Sequence, residues 1–213
     1  LTAGREEYEK ATAALAPLFD DLHAREDELL TAGVYDLLVR GKLDATLNLG
    51  WANYYLAILE PKDEGRRADL LGKALRRFQE LLDSGQAGAM RAQCCLAVGM
   101  TQRELGRLVD AEKSLNNSLG PDVPPPIAAQ ARYELARCQL KGGRYDDART
   151  TLKPLVEKDP NNLSPEERAA RLYVNLAALW DANSHLVEAE ALRTQGRKSP
   201  AEAASVEKAR RAR

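Results

Sequence analysis

Gly106-Arg107-Leu108-Val109-Asp110-Ala111 and Gly143-Arg144-Tyr145-Asp146-Asp147-Ala148 are two versions of one pattern, 37 residues apart, and Ala74 lies a further 37 residues upstream of Ala111. Behind the alanine come Leu115 and Leu119 in one copy and Leu152, Leu155 and Pro160 in the next. A weaker copy places Ala189 after Leu186, with Leu192 and Gly196 behind it. A fixed period of about 20–50 residues signals stacked supersecondary units in place of one globular core. Ahead of each copy runs a helix of small and apolar residues: Cys95, Val98, Gly99 and Gln102, then Arg132, Leu135, Ala136 and Gln139, then Tyr173, Leu176, Ala177 and Trp180. Glycine, or Ser184 in the last copy, is expected to turn the chain into a second helix, whose alanine permits close helix approach.

These residues resemble the tetratricopeptide repeat, an antiparallel helix pair with a bulky-x-x-apolar-small signature followed by Gly, an aromatic, Ala and a closing Pro. The resemblance is good over 92–160, fair over 170–196 and partial over 47–83. In that first stretch Trp51, Tyr54, Tyr55 and Ile58 fit the first helix, and Ala74, Phe78 and Leu81 the second. About seven extra residues, Pro61-Lys62-Asp63-Glu64-Gly65 among them, separate its halves. The resemblance implies an all-α fold, a right-handed α-α superhelix built as a solenoid of antiparallel helix pairs. Repeats are expected at about 47–83, 92–125, 129–162 and 170–197, within a repeat region 47–197. Residues 1–46 are read as N-terminal helices and 198–213 as a basic C-terminal helix or tail. Tyr8, Ala11, Leu15 and Leu18 have the spacing of a second helix with no first helix before them. Leu22, Leu29, Leu30, Val34, Leu37 and Leu38 look helical but fit no repeat register. The chain opens on Leu1, not Met, which reads as a fragment of a longer chain or a processed product.

Local signals agree with an all-helical chain. Ala and Leu dominate, and no stretch alternates apolar and polar residues over strand length. Ser164-Pro165-Glu166-Glu167 is a capping box with Pro at the first helical position and predicts a helix from 165. Pro124-Pro125-Pro126 ends one unit and opens the next. Lys141-Gly142-Gly143 marks a helix end that needs positive φ.

The search for chemistry excludes more than it finds. Thirty-one basic residues against 32 acidic ones give a net charge of −1, which argues against a dedicated nucleic-acid binder. Lys198, Lys208, Arg210, Arg211 and Arg213 form one basic run, read as a solvated helix end in preference to a binding tail. No apolar stretch is long enough to span a membrane. Cysteine usage favours the cytoplasm weakly, with periplasm or cell envelope the alternative if a leader was removed. Cys94, Cys95 and Cys138 lack metal-ligand spacing and read as small core residues. His23 and His185 are isolated, His185 in the expected turn of the last repeat. Phosphate-binding, zinc-protease and serine-hydrolase motifs are absent, so neither a cofactor nor an enzyme is expected.

What remains is a surface. In tetratricopeptide repeats the first helices line a concave groove where peptides lie. The register places Gln93, Leu96, Met100 and Arg103 there from one unit, and Gln130, Tyr133, Glu134, Arg137 and Lys141 from the next. Arg171, Asn175, Ala178 and Asp181 come from the last, and Asn53 takes the same position as Asn175. Ala97 and Glu134 stand where carboxylate-clamping members carry Asn, so that role is not transferred. Arg103, Arg137 and Arg171 recur at 34 residues. With Lys141 they suggest a basic trough for an acidic or phosphate-bearing segment of a partner protein. The competing reading pairs these arginines with neighbouring acids. On the trough reading, reversing Arg137 and Arg171 together abolishes acidic-peptide binding with little loss of stability. Two further readings stay open. The repeats are a structural or self-assembling segment, associating through Leu15, Leu18, Phe19 and Leu22, or they are the docking module of a larger enzyme.

Overall fold

The computed structural model describes Glu6, Glu7, Lys10, Ala13 and residues 24–60, 62–85, 87–165 and 167–194. Among them are eight α-helices and no strand: α1 (Glu26–Thr31), α2 (Tyr35–Ile58), α3 (Glu64–Asp83), α4 (Arg91–Glu104), α5 (Leu108–Asn116), α6 (Pro125–Lys141), α7 (Tyr145–Val156) and α8 (Arg171–Thr194). The all-α helical-repeat expectation holds. The chain divides into two compact units, Leu1–Gly106 and Arg107–Arg213. The expected helix of Tyr8, Ala11, Leu15 and Leu18, the self-association residues Leu15, Leu18, Phe19 and Leu22, His23 and the basic C-terminal run all lie outside the described residues.

In the first unit, Gly33 takes φ +69° after α1. Its N–H donates to the carbonyl of Leu30, and the Val34 N–H donates to that of Leu29. This paired closure satisfies the orphan carbonyls of the helix end. Leu29 then packs with Val34, Tyr35 and Leu38 across the turn. Residues 35–43, which fit no repeat register in the sequence, form one unbroken helix with residues 44–58. Between the halves of this unit the next helix already begins at Glu64, so part of the extra length expected there is helix. Asp63 caps α3 by accepting from the Arg66 N–H at 2.9 Å.

The partnership of α2 and α3 corrects the register expected for α2. Tyr55 and Ile58, expected to fit the packing pattern, are 46% and 40% exposed. Tyr54 is buried as expected, but its buried companions are Leu47, Leu49, Gly50, Asn53 and Ala57. Gly50 is the small residue that admits α3, because a Cβ there would lie 2.5 Å from Cε1 of Phe78. The sequence pattern pointed to the large residues Trp51, Tyr54, Tyr55 and Ile58, but backbone approach selects the residue without a side chain. Trp51 lies beside this contact, 5.2 Å from the Phe78 ring and stacked on Tyr55. On the other side α4 packs on α3 and is buried from Cys94 through Arg103.

In the second unit α5 packs on α6, α6 on α7 and α7 on α8. Pro124, extended at φ −53° and ψ 136°, leads into Pro125 at the first turn of α6. The expected glycine stop is present: Gly143 has φ +74°, its N–H donates to Leu140 and the Arg144 N–H donates to Gln139. Ala136, Ala148, Leu152, Leu155, Val174 and Ala177 form the core, with Tyr173 and Trp180 packed on it. The periodic alanines keep their promise, since Ala74, Ala111 and Ala148 have no exposed surface at all.

Two local expectations fail here. The capping box forms, with Glu167 N–H donating to Ser164 Oγ and Ser164 N–H to Glu167, but it opens a turn and a 3-10 segment over Arg168–Ala170. The α-helix begins at Arg171, not 165. The turn expected at Ser184 is absent, and α8 runs straight through it to Thr194. Ser184 cannot adopt positive φ at glycine's low cost, and its hydroxyl donates to the Asp181 carbonyl at 2.7 Å, a bond made within the helix. His185 is thereby a buried helix residue, not a turn residue.

Candidate protein-interaction surface

In the second unit, the geometry brings α6 and α8 into contact. Tyr133 of α6 meets Tyr173 and Trp180 of α8, with ring centroids 5.9 Å and 6.1 Å away. The Arg137 guanidinium lies 5.6 Å from the ring centres of both Tyr133 and Trp180. Its Nη1 also donates to Glu134, whose side chain is only 5% exposed, at 3.2 Å. Arg137 is thus held by two aromatic faces and a buried carboxylate, an arrangement in which a guanidinium's flat face and edge are both used.

The other expected positions of this unit lie on the same two helices. Gln130 is half-buried, Lys141 exposed, and on α8 both Arg171 and Asn175 are exposed. Arg171 donates to Asn161 at 3.3 Å. Tyr133 is buried at 9% exposure. The aromatic partners Tyr173 and Trp180 were quoted in the sequence only as core positions of a first helix. Their role as walls for Arg137 depends on how α6 and α8 meet, which no local pattern encodes.

The first unit treats its expected positions differently. Gln93 is half-buried, but Leu96, Met100 and Arg103 are buried. Arg103 pairs with Glu104 at 2.8 Å, and Glu104 also receives the guanidinium of Arg67 from α3. Asn53 is buried as well, with Nδ2 donating to the Leu49 carbonyl at 2.9 Å. It does not share the exposed setting of Asn175, because the register of α2 turns it toward α3.

Cys94, Cys95 and Cys138 are free and buried. Burial pushes the Cys94 thiol up to about 11, with a smaller push from Cys95. Among the described residues no group of His, Cys, Asp and Glu is placed to hold a metal ion. No described helix is long and apolar enough to cross a membrane.

A family model described as tetratricopeptide repeat matches residues 103–176. No curated protein and no solved structure matches the chain. Repeats of this family generally mediate protein–protein interaction and are typically non-catalytic. Over residues 103–176, the stretch that builds α5, α6, α7 and the start of α8, the chain is thus similar to the tetratricopeptide repeat.

Proposed function

We propose that this chain is a non-catalytic interaction module whose second unit holds an acidic segment of a partner protein against the α6–α8 face. The observation that carries this reading is the Tyr133–Arg137–Trp180 cluster, a clamped aromatic–guanidinium contact between two helices that also carry exposed Lys141, Arg171 and Asn175. Aromatic and arginine side chains fixed by their neighbours lose little rotamer freedom when a ligand lands on them. Lys141 and Arg171 supply positive charge at the solvent edge, where it steers an acidic partner. Arg137 acts through this contact, since its Nη1 already donates to Glu134 and its face lies against the two rings.

The test is fluorescence anisotropy of labelled acidic peptides against the full chain, with a lysine-rich peptide as control. The double reversal Lys141→Glu/Arg171→Glu touches exposed residues, so folding should survive while acidic-peptide affinity falls by about tenfold or more. Unchanged affinity in a folded double variant sinks the assignment to this face.

A further inference from the structure

A cleft of about 280 Å³ opens between α2 and α3 of the first unit, lined by Leu49, Asn53, Lys73, Arg76, Arg77 and Glu80. It lies on the second helix of a pair and involves none of the α6–α8 residues. Positions 73, 76, 77 and 80 fall on one face of α3 by helical spacing. Three of those four are cations.

The floor is unusual. Asn53 is 3% exposed, its Nδ2 is committed to Leu49, and its Oδ1 is a buried acceptor with no hydrogen-bond partner. A buried carboxamide oxygen left without a donor costs about 1–3 kcal/mol. A ligand that brings a donor recovers that cost.

The rim asks for the opposite charge. Lys73 pairs with Asp69 at 2.7 Å and Arg77 with Glu80 at 3.0 Å, both within one exposed helical turn. Such surface pairs are weak and yield readily to an incoming anion. Arg76 is exposed and has no ion-pair partner among the described residues. Leu49, 4% exposed, adds an apolar wall.

We propose that this α2–α3 cleft binds a monoprotonated phosphate group, its P–O–H donating to Asn53 Oδ1 and its anionic oxygens meeting Arg76, Lys73 and Arg77. A phosphate monoester fits more fully than the free ion, because its ester carbon lies against Leu49. Sulfate has the same tetrahedral shape but no proton to donate at neutral pH, so the buried acceptor discriminates between them.

Calorimetric titration of the full chain at about pH 6, near the second ionisation of a phosphate monoester, reads this directly. O-phosphoserine, inorganic phosphate and sulfate are compared at equal ionic strength. Saturable phosphate binding about tenfold tighter than sulfate is the expected result. Arg76→Ala should weaken it about tenfold or more, leaving the melting temperature unchanged. Asn53→Leu should erase the preference over sulfate. O-phosphoserine binding more tightly than inorganic phosphate assigns the site to an ester, and equal binding assigns it to the free ion. Equal affinity for sulfate, an Arg76→Ala variant that binds as well as the native chain, or no saturation by any phosphate up to about 10 mM overturns the proposal.

Discussion

Substituting Gly50 by Ala tests the α2–α3 packing at its tightest point. In a helix interior Gly→Ala ordinarily stabilises by about 0.5–1 kcal/mol, by removing backbone freedom from the unfolded chain. At Gly50 the new methyl would sit 2.5, 2.9 and 2.9 Å from three ring atoms of Phe78, well inside van der Waals contact. Phe78 has no exposed surface and cannot swing into solvent. Overpacking of this kind costs about 1–3 kcal/mol, so the net effect is a loss of about 1–2 kcal/mol. Gly41 lies in the same helix with nothing within 4 Å of its missing Cβ, so Gly41→Ala should show the ordinary gain. The two variants then differ by about 2–3 kcal/mol, or about 1 M in urea midpoint for a typical denaturant slope. Trp51, 5.2 Å from the Phe78 ring, reports unfolding of this unit by fluorescence once Trp180 is replaced by Phe. In a Phe78→Leu background the penalty at Gly50 should fall by more than half, a coupling read from a double-mutant cycle. A Gly50→Ala midpoint equal to that of Gly41→Ala refutes the close approach and the register drawn from it.

Three further outcomes follow from the packing. Arg137→Glu should lose about 2–3 kcal/mol, since it removes two cation–π contacts and sets a second acid beside buried Glu134; a loss below about 0.5 kcal/mol in thermal unfolding contradicts the clamped geometry. The cysteines should react with iodoacetamide at pH 8 only on unfolding, because burial raises the Cys94 thiol to about 11 and raises Cys95 too; fast labelling of the native chain, followed by mass spectrometry, argues against a tight α4 interior. Glu167 is held below its ordinary value by Lys158 and then by Ser164, so its contribution exists above the unfolded carboxylate range and vanishes as pH falls through the folded one. An acid titration should therefore destabilise the native chain more than Glu167→Gln, and parallel curves would show that the Lys158–Glu167–Ser164 contact contributes nothing.

The repeat was legible because its cause is local and recurrent. Ala74, Ala111 and Ala148 recur at one spacing because each meets a facing helix at the same depth, and Gly143 is required by a backbone angle. Asn53 was misplaced because α2 is longer than the usual first helix, and register is decided by which residue allows Phe78 to approach. The arginines at 34-residue spacing share a sequence period but not an environment. Arg103 is buried with Glu104, Arg137 is walled by rings, and Arg171 is exposed. Burial and pairing of a long side chain depend on neighbours from other helices. The cleft above α3 was invisible for the same reason, as Asn53 and Arg76 face one opening only after two helices have docked. At Ser184 the pattern of apolar residues continued on both sides of the expected turn, and periodicity alone cannot tell a hairpin from a rod.

That rod has a consequence for where the chain travels. A helical hairpin brings the backbone back near its starting level, so each pair ends close to where it began. The 24 residues of α8 carry it one way for about 36 Å at 1.5 Å per residue. Thr194 is thus delivered to the opposite end of the helix from Arg171. Without a glycine at the expected turn, the backbone makes no return between Arg171 and Thr194.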